Sequence, residues 1–428
     1  MSTETYAQQL CYNVVFPYSI HRSCGALSLK KPALLLLSAA LLLLTLSSCG
    51  GSSAPDPNQE DPGSQLPNRV LLTNSFSGLL QVIDADQDVQ TRFVSQVGGA
   101  PAYLRLSPGG AYTVYIDTSS INAIGVIKNS NESQTRKIFL SDWTESAAVL
   151  NDGLTAFAAV PNQLVTENNV SFRGALNVVD VDEATGSPLT TVPYEGVRRV
   201  YLDNAGTKLI ALSTSTNTVR IYDVAAKTLG AAITGFDRPI FAVFSSDNSK
   251  AYVLNCGAEC GGTTASVTEL TIATGATRSV NVAGATVALL SGNQLWVAGN
   301  GMLEQVDVST MTASTSGLPV AISTGTHEVM ALAGNKLFIG ATGCGSLGCL
   351  SIVDTSSKSV FVDNPGAGEQ SKGDVTGIAP INTRDIVYVT EGGELRIYDP
   401  ATNEEIPGLN GNIIDIFGNA SSIVALDQ

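Results

Sequence analysis

Histidine and positive charge are scarce in this 428-residue chain. It contains two histidines, and 23 lysines and arginines stand against 38 aspartates and glutamates, which gives a formal net charge of −15. An acidic surface repels phosphate backbones, so we expect no nucleic-acid partner. Only one histidine, His327, follows the N-terminal apolar segment. The chain therefore has little of the residue type that general acid–base catalysis uses most often.

Motifs for catalysis, metals and nucleotides are also missing. No Gly-x-Ser-x-Gly elbow is present, and the cysteines lack a further ligand pair at zinc spacing. Gly343–Gly348 matches Gly-x-Gly-x-x-Gly, but the strand-like LSIVD follows where a dinucleotide site needs a helix. Asp84–Asp88 begins like a calcium loop, yet Val89 and Ser95 replace its required Gly and Glu. We therefore predict no catalytic residue, no metal and no cofactor.

The chain has one long apolar run, near its N-terminus. Lys30 and Lys31 precede PALLLLSAALLLLTLSSC, in which an apolar run of about 15 residues is typical of a secretory signal and short for a membrane span. Its end, LSSCG, resembles the lipobox of bacterial lipoproteins, and the resemblance implies cleavage before Cys49 and acylation of that cysteine. Gly50 is not the aspartate that retains lipoproteins at the inner membrane. The resemblance thus implies the outer membrane or the cell surface, and an uncleaved single-span anchor is the alternative.

Three regions follow from this reading. Residues 1–48 form a signal segment with a long stretch before Lys30, and 49–67 form a flexible tether rich in Pro, Gly and Ser. Residues 68–428 contain a repeated unit, seen clearly in 208–249, where four short apolar runs are each bounded by turn residues. The second run of each unit recurs eight times, as RVLLTNS, YTVYIDT, TAFAAVP, KLIALST, KAYVLNC, QLWVAGN, KLFIGAT and DIVYVTE. Four strands recurring at about 42 residues are typical of β-propeller blades.

Eight copies predict an all-β, eight-bladed β-propeller of four-stranded blades. The first copy has no inner strand before Arg69, so a strand from the C-terminus must close the ring. We expect Ile413–Phe417 to supply that strand. The later apolar run Ser422–Leu426 then has no place in the eight-blade count. Two explanations remain open: this run displaces Arg69–Leu72, or one repeat is misassigned and the ring has seven blades.

Most third strands end in an aspartate, which can accept hydrogen bonds from backbone N–H groups and stabilise a tight turn. Examples are Asp84, Asp223, Asp307, Asp354 and Asp399, and Asp180 follows the same pattern. The segments TVRIYDVAAKT and ELRIYDPATNE resemble YVTN-type β-propeller repeats. That resemblance covers roughly 69–428 and implies a propeller fold of the kind found in secreted surface proteins and lactonases.

The two close cysteine pairs of the body favour an oxidising compartment. We expect Cys256 to bond with Cys260 and Cys344 with Cys349, because pairing between the two sets would require non-adjacent blades to meet.

Irregular segments are concentrated in the 2–3 and 4–1 connections, which emerge on the same face of a propeller. These are 161–174, 256–265, 343–349 and 364–374, and Trp143, Tyr194, Arg238 and His327 lie in or beside 4–1 connections. Loops on a rigid scaffold commonly carry binding. We expect a lipid-anchored, non-catalytic binding module of the bacterial envelope, with an envelope protein or glycan as partner. The alternative is a lactonase-like hydrolase.

Overall fold

Each repeat forms one antiparallel sheet, and eight such sheets are present. The computed structural model describes residues 62–94, 97–119, 121–180, 188–345, 347–363, 372–411, 414–416 and 419–426. All belong to a single unit, Asp61–Gln428. The predicted signal segment, Cys49 and most of the predicted tether lie outside the described residues. Within the described ranges, no helix is long and apolar enough to span a membrane.

The strands of blades 1 to 4 follow the predicted units. They are β1 (Arg69–Asn74), β2 (Leu79–Asp84), β3 (Val89–Val94), β4 (Pro101–Leu106), β5 (Tyr112–Asp117), β6 (Ala123–Lys128), β7 (Ser133–Phe139), β8 (Ala147–Val149), β9 (Thr155–Glu167), β10 (Val170–Asp180), β11 (Pro188–Pro193), β12 (Val197–Leu202), β13 (Lys208–Ser213), β14 (Thr218–Asp223) and β15 (Thr228–Leu229).

The remaining blades follow in chain order. Their strands are β16 (Pro239–Phe244), β17 (Lys250–Asn255), β18 (Ser266–Thr271), β19 (Thr277–Asn281), β20 (Val287–Ser291), β21 (Gln294–Gly299), β22 (Met302–Asp307), β23 (Thr312–Ala313), β24 (Val320–Ala321), β25 (Thr326–Ala333), β26 (Lys336–Thr342), β27 (Leu350–Asp354), β28 (Val360–Val362), β29 (Val375–Ile381), β30 (Ile386–Glu391), β31 (Glu394–Asp399), β32 (Glu404–Glu405) and β33 (Ala420–Leu426). Short 3₁₀ turns lie at Gly257–Cys260 and Leu409–Gly411.

The second strand of each blade carries a run of at least five buried residues. All six residues of β1 are buried, as are the last five of β13 and β17. A strand covered on both faces by neighbouring sheets has no solvent side, so its sequence is nearly continuous in apolar residues. This burial explains why the second strands were the clearest repeat in the sequence.

The ring closes through β33, which pairs with β1 in antiparallel register, Leu71 opposite Val424. The eight-blade prediction is confirmed, and the seven-blade alternative is wrong. The expectation that Ile413–Phe417 supplies the closing strand is also wrong. Its described residues, 414–416, form no strand. Ile414 and Ile416 instead pack into the core between blades 8 and 1, and the Ile416 carbonyl accepts hydrogen bonds from side chains of blade 1.

Gly377 lets the last blade approach the closing strand. A Cβ atom at this position would lie 2.6 Å from a methyl group of Ile423 and 3.1 Å from its backbone nitrogen. The inner strand β29 therefore lies directly against β33, and no larger residue fits there without moving the backbone.

The turn aspartates act as predicted. Asp84 accepts hydrogen bonds from the N–H groups of Asp86 and Gln87, and Asp354 accepts from those of Ser356 and Ser357. The same contact is formed by Asp223, Asp307 and Asp399.

Two of the irregular segments are bridged by disulfide bonds, as predicted. Cys256 is bonded to Cys260 and Cys344 to Cys349, each within its own loop. The 161–174 segment, however, is not a loop. The strands β9 and β10 extend through it as a hairpin that turns at Asn168 and Asn169, both at positive φ. Asn tolerates this left-handed conformation, so the Asn-Asn pair suits a tight hairpin turn. Most of the 364–374 segment lies outside the described residues.

Candidate ligand site in the central channel

A cavity of about 470 Å³ lies where the inner strands begin. All eight blades contribute residues to its wall, so it is the mouth of the central channel. Each inner strand follows a 4–1 connection, which places this mouth on the loop-rich face. A second space of about 220 Å³ lies farther along the same strands, and its lining includes the apolar side chains Leu104, Phe241, Val329, Met330 and Ile423.

The inner strands are bulged at this mouth. In six blades the pairing with the second strand skips one residue near the start of the inner strand. The skipped residues are Tyr103, Arg198, Ile240, Glu328, Thr376 and Ser421. All but Arg198 line the cavity. A bulge turns the side chain of its extra residue out of the regular alternation, and bulges often lie beside functional sites.

Arg105 extends from blade 2 towards blade 4. Its guanidinium donates a hydrogen bond to the carbonyl of Val200 at 3.1 Å and lies 4.6 Å from the ring centroid of Tyr201. It also lies 5.8 Å from the ring of Tyr103. Burial raises the pKa of Tyr201, so the phenol stays neutral. Within the described part of the chain, Arg105 forms no salt bridge with a carboxylate, and a cation–π contact leaves its charge uncompensated.

Two further arginines share one carboxylate. The Arg199 Nε lies 3.2 Å from Glu145 Oε1, and its Nη1 donates to the Glu145 carbonyl at 3.1 Å. Arg198 also hydrogen-bonds the Glu145 carboxylate, with Nη2 at 3.3 Å from Oε2. The Glu145 carboxylate is therefore shared by two arginines, and it forms no salt bridge with Arg105.

Glu328 is the bulged residue of blade 7 and is exposed to the cavity. Its carboxylate forms no hydrogen bond or salt bridge with any residue that the structure describes. Desolvation in the channel raises the pKa of this carboxyl group. The charge of Arg199 opposes the shift, and those of Glu145 and Asp374 add to it. An acidic side chain thus faces the cavity without a hydrogen bond or salt bridge among the described residues, and the charge of Arg199 acts on it from a greater distance.

His327 lies on β25, one residue before Glu328, and only 1% of it is exposed. Its Nε2 lies 3.0 Å from the carbonyl of Ser323. A carbonyl only accepts, so Nε2 carries the proton and Nδ1 holds a lone pair, for which the described residues provide no donor. Burial lowers the pKa of His327, which keeps the ring neutral at neutral pH.

The other three predicted contact residues do not line the cavity. Trp143 is 38% exposed in the connection between β7 and β8. Tyr194 is buried, and its hydroxyl donates to the Thr218 carbonyl at 2.8 Å. Arg238 donates to the Thr214 carbonyl at 2.9 Å. Tyr194 therefore contributes to packing rather than to a contact surface.

The cavity residues that sequence reasoning missed lie on inner strands, not in loops. The strands PAYLRL and VRRVYL carry them, as Tyr103, Arg105, Arg199 and Tyr201. The sequence feature that could have identified them is the presence of arginines in strands that are expected to line a narrow channel.

Neither a family model nor any curated protein matches this chain. Among solved structures it is similar to the dihydro-haem d1 dehydrogenase NirN in complex with DHE, with a TM-score of 0.63 and 12% identity over 86% of this chain and 78% of that one. It is also similar to the periplasmic gluconolactonase PpgL of Pseudomonas aeruginosa, with a TM-score of 0.50 and 15% identity over 84% and 99%. At these identities the likeness shows the fold alone. The protein is an eight-bladed β-propeller.

Proposed function

We propose that this propeller is a non-catalytic binding module whose small-molecule ligand enters the channel at the loop-rich face. The convergence of polar side chains from different blades on one cavity supports this proposal. Small-molecule sites are typically concave, of this size range, and combine apolar walls with a few placed polar groups. Arg105, held in place by Val200 and Tyr201, is such a group.

The burial and the hydrogen bonding of His327 favour a non-catalytic role. A general base must come within hydrogen-bond reach of the proton that it removes. The ring of His327 is buried in the wall and bonded to its own backbone segment.

The second candidate is lactone hydrolysis, which one observation favours. Glu328 is an unpaired carboxyl group of raised pKa that faces the cavity, and such a group suits proton transfer. Hydrolysis of a sugar lactone by the purified protein, lost in Glu328→Gln, would support this candidate over simple binding.

We also propose the cellular setting. Acylation of Cys49 would hold the propeller at the outer membrane or cell surface through the residues that precede the first blade. The predicted envelope protein or glycan would then meet the same loop-rich face, where Trp143 is exposed.

The test is capture of small molecules from a cell extract by the purified full chain, followed by mass spectrometry of what elutes. Thr326 lines the cavity at the start of β25 and is exposed there. Thr326→Trp should fill the mouth and abolish capture. Thr228→Trp is the matched control, because Thr228 is exposed on the outer strand β15. Equal capture by the wild type and Thr326→Trp would overturn the proposal.

A further inference from the structure

Two opposite charges line the channel cavity without a salt bridge among the described residues. Arg105 has no carboxylate, and Glu328 has neither hydrogen bond nor salt bridge, among the residues that the structure describes. The two do not pair with each other either. They extend from blades 2 and 7.

Both charges occupy defined places in the channel wall. Arg105 is held between the ring of Tyr201 and the carbonyl of Val200. Glu328 is set by its bulge on β25, where the pairing skips from His327 to Val329. Glu145, the other carboxylate of the cavity, is already shared by two arginines.

A carboxylate and a guanidinium that are both accessible from the cavity and have no salt bridge can each bind a ligand group of opposite charge, so the site is suited to a ligand that supplies both counter-charges. Beyond the mouth the lining includes the apolar side chains Leu104, Phe241, Val329, Met330 and Ile423, together with Glu328. The ligand therefore needs an anionic group, a cationic group and an apolar body.

We propose that the channel binds a zwitterionic small molecule with an apolar body, of the class of amino acids and short peptides. Its carboxylate binds the Arg105 guanidinium, its ammonium group binds the Glu328 carboxylate, and its apolar part occupies the narrower space. This inference rests on the proposed function, since it names the ligand class of the same cavity. A simple inorganic anion would satisfy Arg105 alone, and a neutral sugar would satisfy neither charge.

The test uses wild-type protein and calorimetric titration with leucine, leucyl-leucine and trileucine. Probes of three lengths are used because the ligand must reach from Arg105 to Glu328. Each probe is paired with its N-acetyl form, which lacks the cation, and its C-terminal amide, which lacks the anion. We expect at least one zwitterion to bind, and each half-charged form to bind at least about tenfold more weakly, the scale of one hydrogen bond to a charged group.

Variants then test which protein residue binds each charged end of the ligand. Arg105→Gln should remove the preference for the free acid over the amide, and Glu328→Gln should remove the preference for the free amine over the N-acetyl form. Lys208→Gln is the control, because Lys208 pairs with Asp223 away from the cavity. Since the comparison of probes uses the wild type, it stands even if a variant folds poorly.

The outcomes separate this inference from the proposed function. Equal binding of the N-acetyl and free forms would show an anion site and overturn the zwitterion. No binding of any zwitterion, while Thr326→Trp still abolishes capture from extract, would overturn the ligand class and leave the channel site standing. If Thr326→Trp has no effect on capture, both fail.

Discussion

The guanidinium of Arg384 donates hydrogen bonds to both carboxylate oxygens of Asp88, at 2.6 and 2.9 Å, across 296 residues of chain. Arg384 lies in blade 8 and Asp88 in blade 1. The Asp88 side chain is fully buried and also accepts hydrogen bonds from the Tyr388 hydroxyl and the Leu409 N–H. This ion pair connects blades 8 and 1, between which the ring closes.

Asp88→Asn should destabilise the propeller. Removing one charge of a buried pair leaves the other uncompensated, which costs about 3 kcal/mol in the free energy of unfolding. Chemical denaturation measures the loss. Asp307→Asn is the control, because Asp307 accepts hydrogen bonds only within its own surface turn. Equal losses in the two variants would show that the pair does not stabilise the closure.

The same pair predicts a loss of stability in acid. Burial alone would raise the pKa of Asp88, but hydrogen bonds from Arg384, Tyr388 and Leu409 outweigh it and hold the pKa below its ordinary value. The folded pKa is lower than the unfolded one, so the contribution is complete above the unfolded value and is lost as pH falls. Between about pH 5 and pH 3, the wild type should lose more stability than Asp88→Asn. Parallel curves of unfolding free energy against pH for the wild type and Asp88→Asn would contradict this prediction.

Truncation after Asn419 should cause aggregation. It removes β33, which leaves the edge of β1 unpaired, and exposed edges associate with other chains. Light scattering of the purified protein is the measurement. A chain that lacks only residues 427 and 428 is the control and should stay dispersed. A truncated protein as soluble as this control would show that another segment closes the blade.

Replacing both cysteines of one loop should have a modest effect on stability. Loops of four or five residues give a loop-closure stabilisation of about 2 kcal/mol. Cys256→Ser with Cys260→Ser, and the equivalent 344 and 349 variant, should each lose no more than this in denaturation. Non-reducing peptide mapping checks the pairing, and links between the two loops would refute it.

Cys49→Ala should release the protein from membranes or stall its processing, because the lipobox-like sequence predicts that Cys49 is acylated. Fractionation followed by mass measurement of the product tests this. A mature-sized product that stays with the membrane would contradict the lipid anchor.

The sequence by itself predicted the turns and the cysteine pairs, and its eight repeats favoured eight blades over seven. These features are local. A second strand buried on both faces must be apolar along its length, as in KLIALS and KAYVLN. A turn aspartate accepts hydrogen bonds from groups two or three residues away, and each disulfide spans four or five residues. Residues that are close together in the sequence therefore carry that information.

Only the tertiary structure decided which C-terminal run closes the ring and which residues form the site. Both Ile413–Phe417 and Ser422–Leu426 are apolar enough for a strand, and the choice depended on pairing with β1, some 350 residues away in the chain. Arg105 meets Val200 across 95 residues. The bulges that aim Tyr103 and Glu328 into the channel depend on register with a neighbouring strand. Contacts of this kind arise only when the ring closes, because closure brings strands from distant repeats around one axis.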